Sequence, residues 1–70
     1  MKKFSLETRE FIELNRLIKY ISWVESGGAA NSAIGEGNVT VNGKTELRKR
    51  NKLREGDLIE FNGSKCQVVA

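Results

Sequence analysis

The seventy-residue sequence predicts an α+β domain: two helices packed on a small, mainly antiparallel β-sheet. Three observations carry that expectation. Apolar residues recur at helical steps between residues 8 and 22. A second segment, opened by Ser26, is rich in Ala and Gly and closes at Gly37. Beyond it, short alternating runs are punctuated by Asn42-Gly43 and Asn62-Gly63, the dipeptides that favour two-residue hairpin turns. A chain of this length makes a single domain, 1–70, and buries only about 60% of the surface its unfolded form exposes. With one cysteine and no histidine, it has neither a disulfide nor a zinc site to staple it. Stability must come from patterned packing.

Taken in order, residues 1–6 alternate weakly around Phe4 and Leu6 and suit a short edge strand. The first helix is expected over residues 8–22. Phe11, Leu14, Leu17, Ile18 and Ile21 fall on one face, and Glu13, Arg16 and Lys19 on the other. Thr8 is the expected N-cap. Trp23 is expected to leave the helix and fold back on the core. Ser26 then caps the second helix, whose apolar positions are Ala29, Ala30, Ala33 and Ile34. Gly37 ends it, since glycine takes the left-handed conformation at little cost. Gly27, Gly28 and Gly35 are weak helix formers, so this helix must dock on the first to persist. Val39–Val41 is a strand, and Asn42-Gly43 a turn. The return strand begins at Lys44 and fades into a basic run. Glu55-Gly56-Asp57 is a turn, Leu58–Phe61 a strand, Asn62-Gly63 a second tight turn, and Lys65–Val69 the last strand.

The charge distribution points to a partner. Net charge is only +3, yet six of the twelve Lys and Arg residues lie between Lys44 and Arg54: Lys44, Arg48, Lys49, Arg50, Lys52 and Arg54. Glu46 and no other carboxylate opposes them within that run. Such a cluster attracts phosphates or acidic surfaces, or simply blunts a sheet edge with charge. The N-terminus of the second helix is a further candidate. The Ser26 hydroxyl and the amides of Gly27 and Gly28 could receive an anion, or form an ordinary cap. Catalysis is not expected. The usual neutral-pH base is missing, Cys66 reads as a buried thiol, and no carboxylates pair for acid–base work. No glycine pattern matches a nucleotide loop and no cofactor is implied. A lone cysteine suits the cytoplasm. No segment approaches the length of a membrane span. Phe4, Phe11 and Phe61 read as core, which leaves too few exposed aromatics to stack successive unpaired bases. Shape-and-phosphate recognition of a folded RNA fits better.

Ser26, Ala30, Ile34, Gly37, Val39, Val41, Asn42 and Gly43, followed by Leu53, Gly56, Asp57 and Ile59, resemble the S-four RNA-binding domain, from about Glu13 onward. The phrase IELNRLIKY and the stretch VESGG are most like its small stand-alone bacterial members. The resemblance implies an αL motif, two helices and a following loop that grip structured RNA. It places contacts near Ser26 and Gly27, at Asn31, and at Arg48, Lys49, Arg50 and Lys52. Many members carry a basic residue where Gly27 and Asn31 stand, which shifts weight to the loop.

The combined expectation is a non-catalytic, monomeric RNA-binding protein acting on structured RNA, ribosomal RNA first, without a small-molecule substrate. The loop cations neutralise phosphates, Lys44 and Arg54 flank them, and Ser26 to Gly28 hold one more. The rival is a protein-interaction module docking an acidic protein through the same edge. A ubiquitin-like sulfur carrier would need a C-terminal Gly-Gly where this chain has Val68-Val69-Ala70. DNA reading would need Arg or Lys on the second helix.

Overall fold

The computed structural model describes residues 1–70 and shows two helices with two sheets. The elements are β1 (Lys2–Ser5), β2 (Ile12–Glu13), α1 (Leu14–Tyr20), α2 (Gly27–Gly35), β3 (Val39–Val41), β4 (Lys44–Thr45), β5 (Lys52–Leu53), β6 (Leu58–Phe61) and β7 (Ser64–Val69). The main sheet runs β1-β7-β6-β3-β4, and β2 and β5 form a separate two-stranded ribbon. Every pairing is antiparallel except β1 with β7, which is parallel with Phe4 opposite Val68. This is the α+β fold the pattern predicts.

The hairpin turns form where the Asn-Gly dipeptides stand. Asn42 and Gly43 have φ of 53° and 84°, and Asn62 and Gly63 have 51° and 80°, the double left-handed pair of a type I′ turn. The Asn42 side chain does more than tolerate that geometry. Its Nδ2 donates to Asp57 Oδ1 at 3.0 Å, and its Oδ1 accepts from the Leu58 amide at 2.9 Å. Asp57 Oδ2 in turn accepts from the Arg54 amide at 2.8 Å. The first hairpin is thereby clasped to the Gly56-Asp57 turn.

The first helix is shorter than the periodicity predicts. It begins at Leu14 instead of residue 8, and Thr8 lies in a turn. The N-cap position is Glu13, which makes no side-chain cap bond. Residues 7 and 8 form a turn with Glu7 at φ 59°, and Ile12 and Glu13 are drawn into the ribbon, with Ile12 opposite Leu53. Phe11 is therefore not a core residue. It sits half-buried on the ribbon, while the helical face proper starts with Leu14. The second helix matches its expected span. Ser26 Oγ accepts from the Ala29 amide at 3.1 Å, and Gly37 at φ 81° turns the chain out.

The core lies between the helices and one sheet face. Leu14, Leu17 and Ile18 of α1 meet Ala30, Ala33 and Ile34 of α2 above Val39, Ile59, Cys66 and Val68. The small residues of α2 are what allow the two helices to lie close. Leu53 brings the ribbon into the same cluster. Trp23 folds back as expected, its ring 6.3 Å from that of Phe61. Burial raises the Cys66 thiol pKa, in keeping with an inert position.

Candidate nucleic-acid interface

The basic run folds into a braced loop. Arg48 Nε donates to Glu46 Oε2 at 2.9 Å, and its Nη2 donates to Glu46 Oε1 at 3.1 Å and to Asn51 Oδ1 at 3.2 Å. The Arg48 amide also donates to Glu46 Oε2, and the Asn51 amide donates back to the Arg48 carbonyl. The Arg48 guanidinium holds the Glu46 carboxyl below its ordinary pKa, and Glu46 raises that of Arg48. Arg48 thus spends its charge on shaping the loop. Lys44, Lys49, Arg50, Lys52 and Arg54 have no carboxylate partner.

The brace aims two carbonyls at α1. Lys49 O accepts from the Asn15 amide at 3.0 Å, and Asn51 O accepts from the Leu14 amide at 2.9 Å. The loop therefore satisfies amides of the first turn of α1 that would otherwise lack acceptors. Asn15 continues the chain of contacts, its Nδ2 donating to Asn31 Oδ1 at 3.2 Å. Asn31, expected as an RNA contact, thus ties α2 to α1.

At the start of α2 the situation is reversed. Ser26 caps its own helix, and the amides of Gly27 and Gly28 have no acceptor within the protein. A Cβ built on Gly27 would meet nothing within 4 Å, and one on Gly28 only the Ser26 Oγ at 3.9 Å. The backbone here is thus uncrowded, and a phosphate could approach it closely.

Three cations that charge counting did not single out surround that approach. Gly27 shares a depression of about 550 Å³ with Asn15, Arg16, Lys19 and Tyr20 of α1, and with Arg9 and Ile12. Lys19 has no carboxylate partner, whereas Arg16 Nε lies 3.3 Å from Glu13 and Arg9 lies 3.6 Å from Glu7. Exposed pairs of this kind contribute little and yield readily to a stronger anion. Arg9 and Arg16 also border a neighbouring depression with Phe11 and Glu13. Lys52 Nζ lies 4.9 Å and the Arg54 guanidinium 5.7 Å from the centre of the Phe11 ring. Lys52 then lines a third depression with Arg48, Arg50 and Asn51. Arg9 and Arg16, shared by the first two depressions, and the Lys52–Phe11 contact between the second and third link the cationic surface from Gly27 to Arg50. Lys44 stays outside it, on the edge strand β4, and borders none of the depressions.

The arrangement of two helices and a loop closed onto their junction has a match in a known family. A profile for the S4 domain covers residues 4–69. The chain belongs to the S4 domain family. YbcJ of Escherichia coli (strain K12) is 46% identical over 70 residues, all of both chains. A protein of Bacillus subtilis (strain 168) named "Probable ribosome maturation protein RlbA" is 36% identical over 66 residues, 93% of this chain and 92% of its own. The solution structure of E. coli YbcJ superposes with a TM-score of 0.77, covering 100% of this chain and 89% of that one. That structure is described as revealing an αL motif involved in RNA binding. In this S4 domain the αL motif comprises α1, α2 and the loop that follows. The hydrogen bonds from Leu14 and Asn15 to Asn51 and Lys49 are what lock the loop onto the helices.

Proposed function

We propose that this chain is a non-catalytic RNA-binding protein of the cytoplasm that acts as a monomer and grips structured RNA, ribosomal RNA first. The observation that carries the reading is the linked cationic surface running from the free amides of Gly27 and Gly28 to the unpaired Arg50 and Lys52. Lys49, Arg50, Lys52 and Arg54 neutralise phosphates on the loop side, while Ser26 to Gly28 hold one at the helix tip with Lys19 beside it. Arg48 and Asn31 contribute by holding the loop and the helices in place, and Lys44 flanks the surface at a distance. The RNA-binding description of the YbcJ structure supports the ligand class, and the name of the RlbA relative supports ribosomal RNA within it.

The test is a Lys49→Ala/Arg50→Ala/Lys52→Ala variant, which spares the Arg48 brace and leaves both carbonyl caps on the backbone. With about four phosphates contacted, log K for wild type falls against log salt with a slope of about −3 to −4. In the variant the slope shrinks to about −1, and affinity at 0.1 M salt drops on the order of a hundredfold. A folded variant that binds RNA as wild type does would refute the reading. Tight binding to an acidic protein with shape-indifferent RNA binding would favour the docking-module alternative.

A further inference from the structure

The outer face of the β2–β5 ribbon sets an aromatic ring and a carboxylate, Phe11 and Glu13, beside cations of the phosphate-binding surface. Ile12 and Leu53 pair across the ribbon and point into the core. The alternation of a strand therefore turns Phe11 and Glu13, with Lys52 and Arg54, to the opposite face. The Phe11 ring is half-buried and lies under two cations, at 4.9 Å from Lys52 Nζ and 5.7 Å from the Arg54 guanidinium. Phe11 and Glu13 line one shallow depression of about 320 Å³ with Arg9 and Arg16 at its rim. One half-buried aromatic ring and one carboxylate thus line a depression with two cations at its rim, and two further cations lie over the ring.

We propose that this depression receives one unpaired nucleobase of the bound RNA, stacked on Phe11 and read by Glu13. The inference rests on the RNA reading above and adds what that reading lacks, a means of telling one nucleotide from another. A base stacked on an aromatic ring beneath an arginine plane is a recurring way to hold a nucleotide extruded from a helix. Lys52 and Arg54 are exposed and have no carboxylate partner, so their ends are free to move from the ring onto the outer face of the base. Arg9 and Arg16 would meet the phosphates on either side of it. Guanine is the base that fits, because its N1–H and N2–H donors lie parallel and match the two oxygens of a carboxylate. Arg16 Nε, 3.3 Å from Glu13 Oε1, forms an exposed pair that yields as Arg16 turns to a phosphate, which frees the carboxylate for the base.

The probe is a set of RNA hairpins with one stem, differing only in a single bulge: none, one guanosine or one uridine. Affinities are measured for the full chain, for Phe11→Leu, which keeps an apolar side chain on the ribbon, and for Glu13→Gln. Thermal unfolding confirms that each variant is folded. The wild type should prefer the guanosine-bulged hairpin over the unbulged one by on the order of tenfold. Phe11→Leu should remove that preference while leaving binding to the unbulged stem unchanged. Glu13→Gln should equalise the guanosine and uridine bulges. If wild type binds bulged and unbulged hairpins alike, the base site is wrong and the phosphate grip stands. If Phe11→Leu weakens all hairpins equally, Phe11 is only structural and the base site is again wrong. If wild type binds none of them, both the base site and the RNA reading fall.

Discussion

The two helices begin in opposite ways. The first turn of α2 is capped by its own residue, Ser26, and keeps two amides free toward solvent. The first turn of α1 has no side-chain cap, and its amides are closed by Lys49 and Asn51 carbonyls from a loop that follows more than thirty residues later. One helix end is autonomous and available, while the other is borrowed and used up. The difference shows why only one of two similar dipole ends can serve a ligand. It also gives the basic loop two tasks: its backbone completes a helix while its side chains face outward.

The sharpest way to break the comparison is to detach the loop. Leu53 is fully buried and fastens the ribbon to the core. Leu53→Ala should cost about 2–5 kcal/mol, comparable with the whole stability of a small domain, and urea unfolding should show a largely unfolded chain. Removing the autonomous cap is milder: Ser26→Ala should cost about 1 kcal/mol. Hydrogen exchange in that variant should rise in α2 and leave the amides of Leu14 and Asn15 protected. Gly28→Ala separates stability from binding. No clash opposes the methyl group, so thermal stability should rise by about 0.4–1 kcal/mol. RNA affinity should nonetheless fall, because the new Cβ narrows the approach to the free amides.

The smallest effect concerns the loop brace. The pKa of Glu46 is lowered in the folded state, so its pairing stabilises the fold above the ordinary glutamate range. That contribution is lost as pH falls through the depressed folded value. The stability gap between wild type and Glu46→Gln should be constant near neutrality and close on acidification from about pH 4.5 downward. A gap that instead opened with acid would contradict the brace.

These features were legible in the sequence to different degrees. Local chemistry was readable. The Asn-Gly turns, the Ser26 cap, the Gly37 stop and the three longer strands of the second half all follow from residue types acting on their own neighbours. The ribbon was not. Its two-residue strands are too short to show an alternation, and Phe11 happens to stand three residues before Leu14, where a helical stripe would put it. Only the distant partner Lys52–Leu53 makes residues 12 and 13 extended. The candidate site divides along the same line. The density of cations from Lys44 to Arg54 is visible on reading, but the pairing of Arg48 with Glu46 and the seclusion of Lys44 on β4 depend on the folded loop. Arg16 and Lys19 looked like a solvated helix face, and nothing in the sequence singled out Arg9. Arg16 and Lys19 do lie one helical step apart, but nothing local says that Gly27 will pack beside them.

Of the two Asn-Gly dipeptides, one is clasped by its side chain and the other is not. Asn42 donates through Nδ2 to Asp57 and accepts from Leu58, while Asn62 makes no side-chain hydrogen bond. Asn is a chemically labile residue, and a following glycine leaves its side chain open to slow deamidation, a conversion that marks old protein. At residue 62 the change would add a charge to an exposed turn and little else. At residue 42 it would exchange the donor to Asp57 for a second carboxylate, which repels the first and undoes the clasp. Peptide mapping after prolonged mild alkaline incubation, followed by thermal melting, should therefore find damage at residue 62 without loss of stability. The melting temperature should fall only with damage at residue 42, so the molecule carries one silent age mark and one that loosens it.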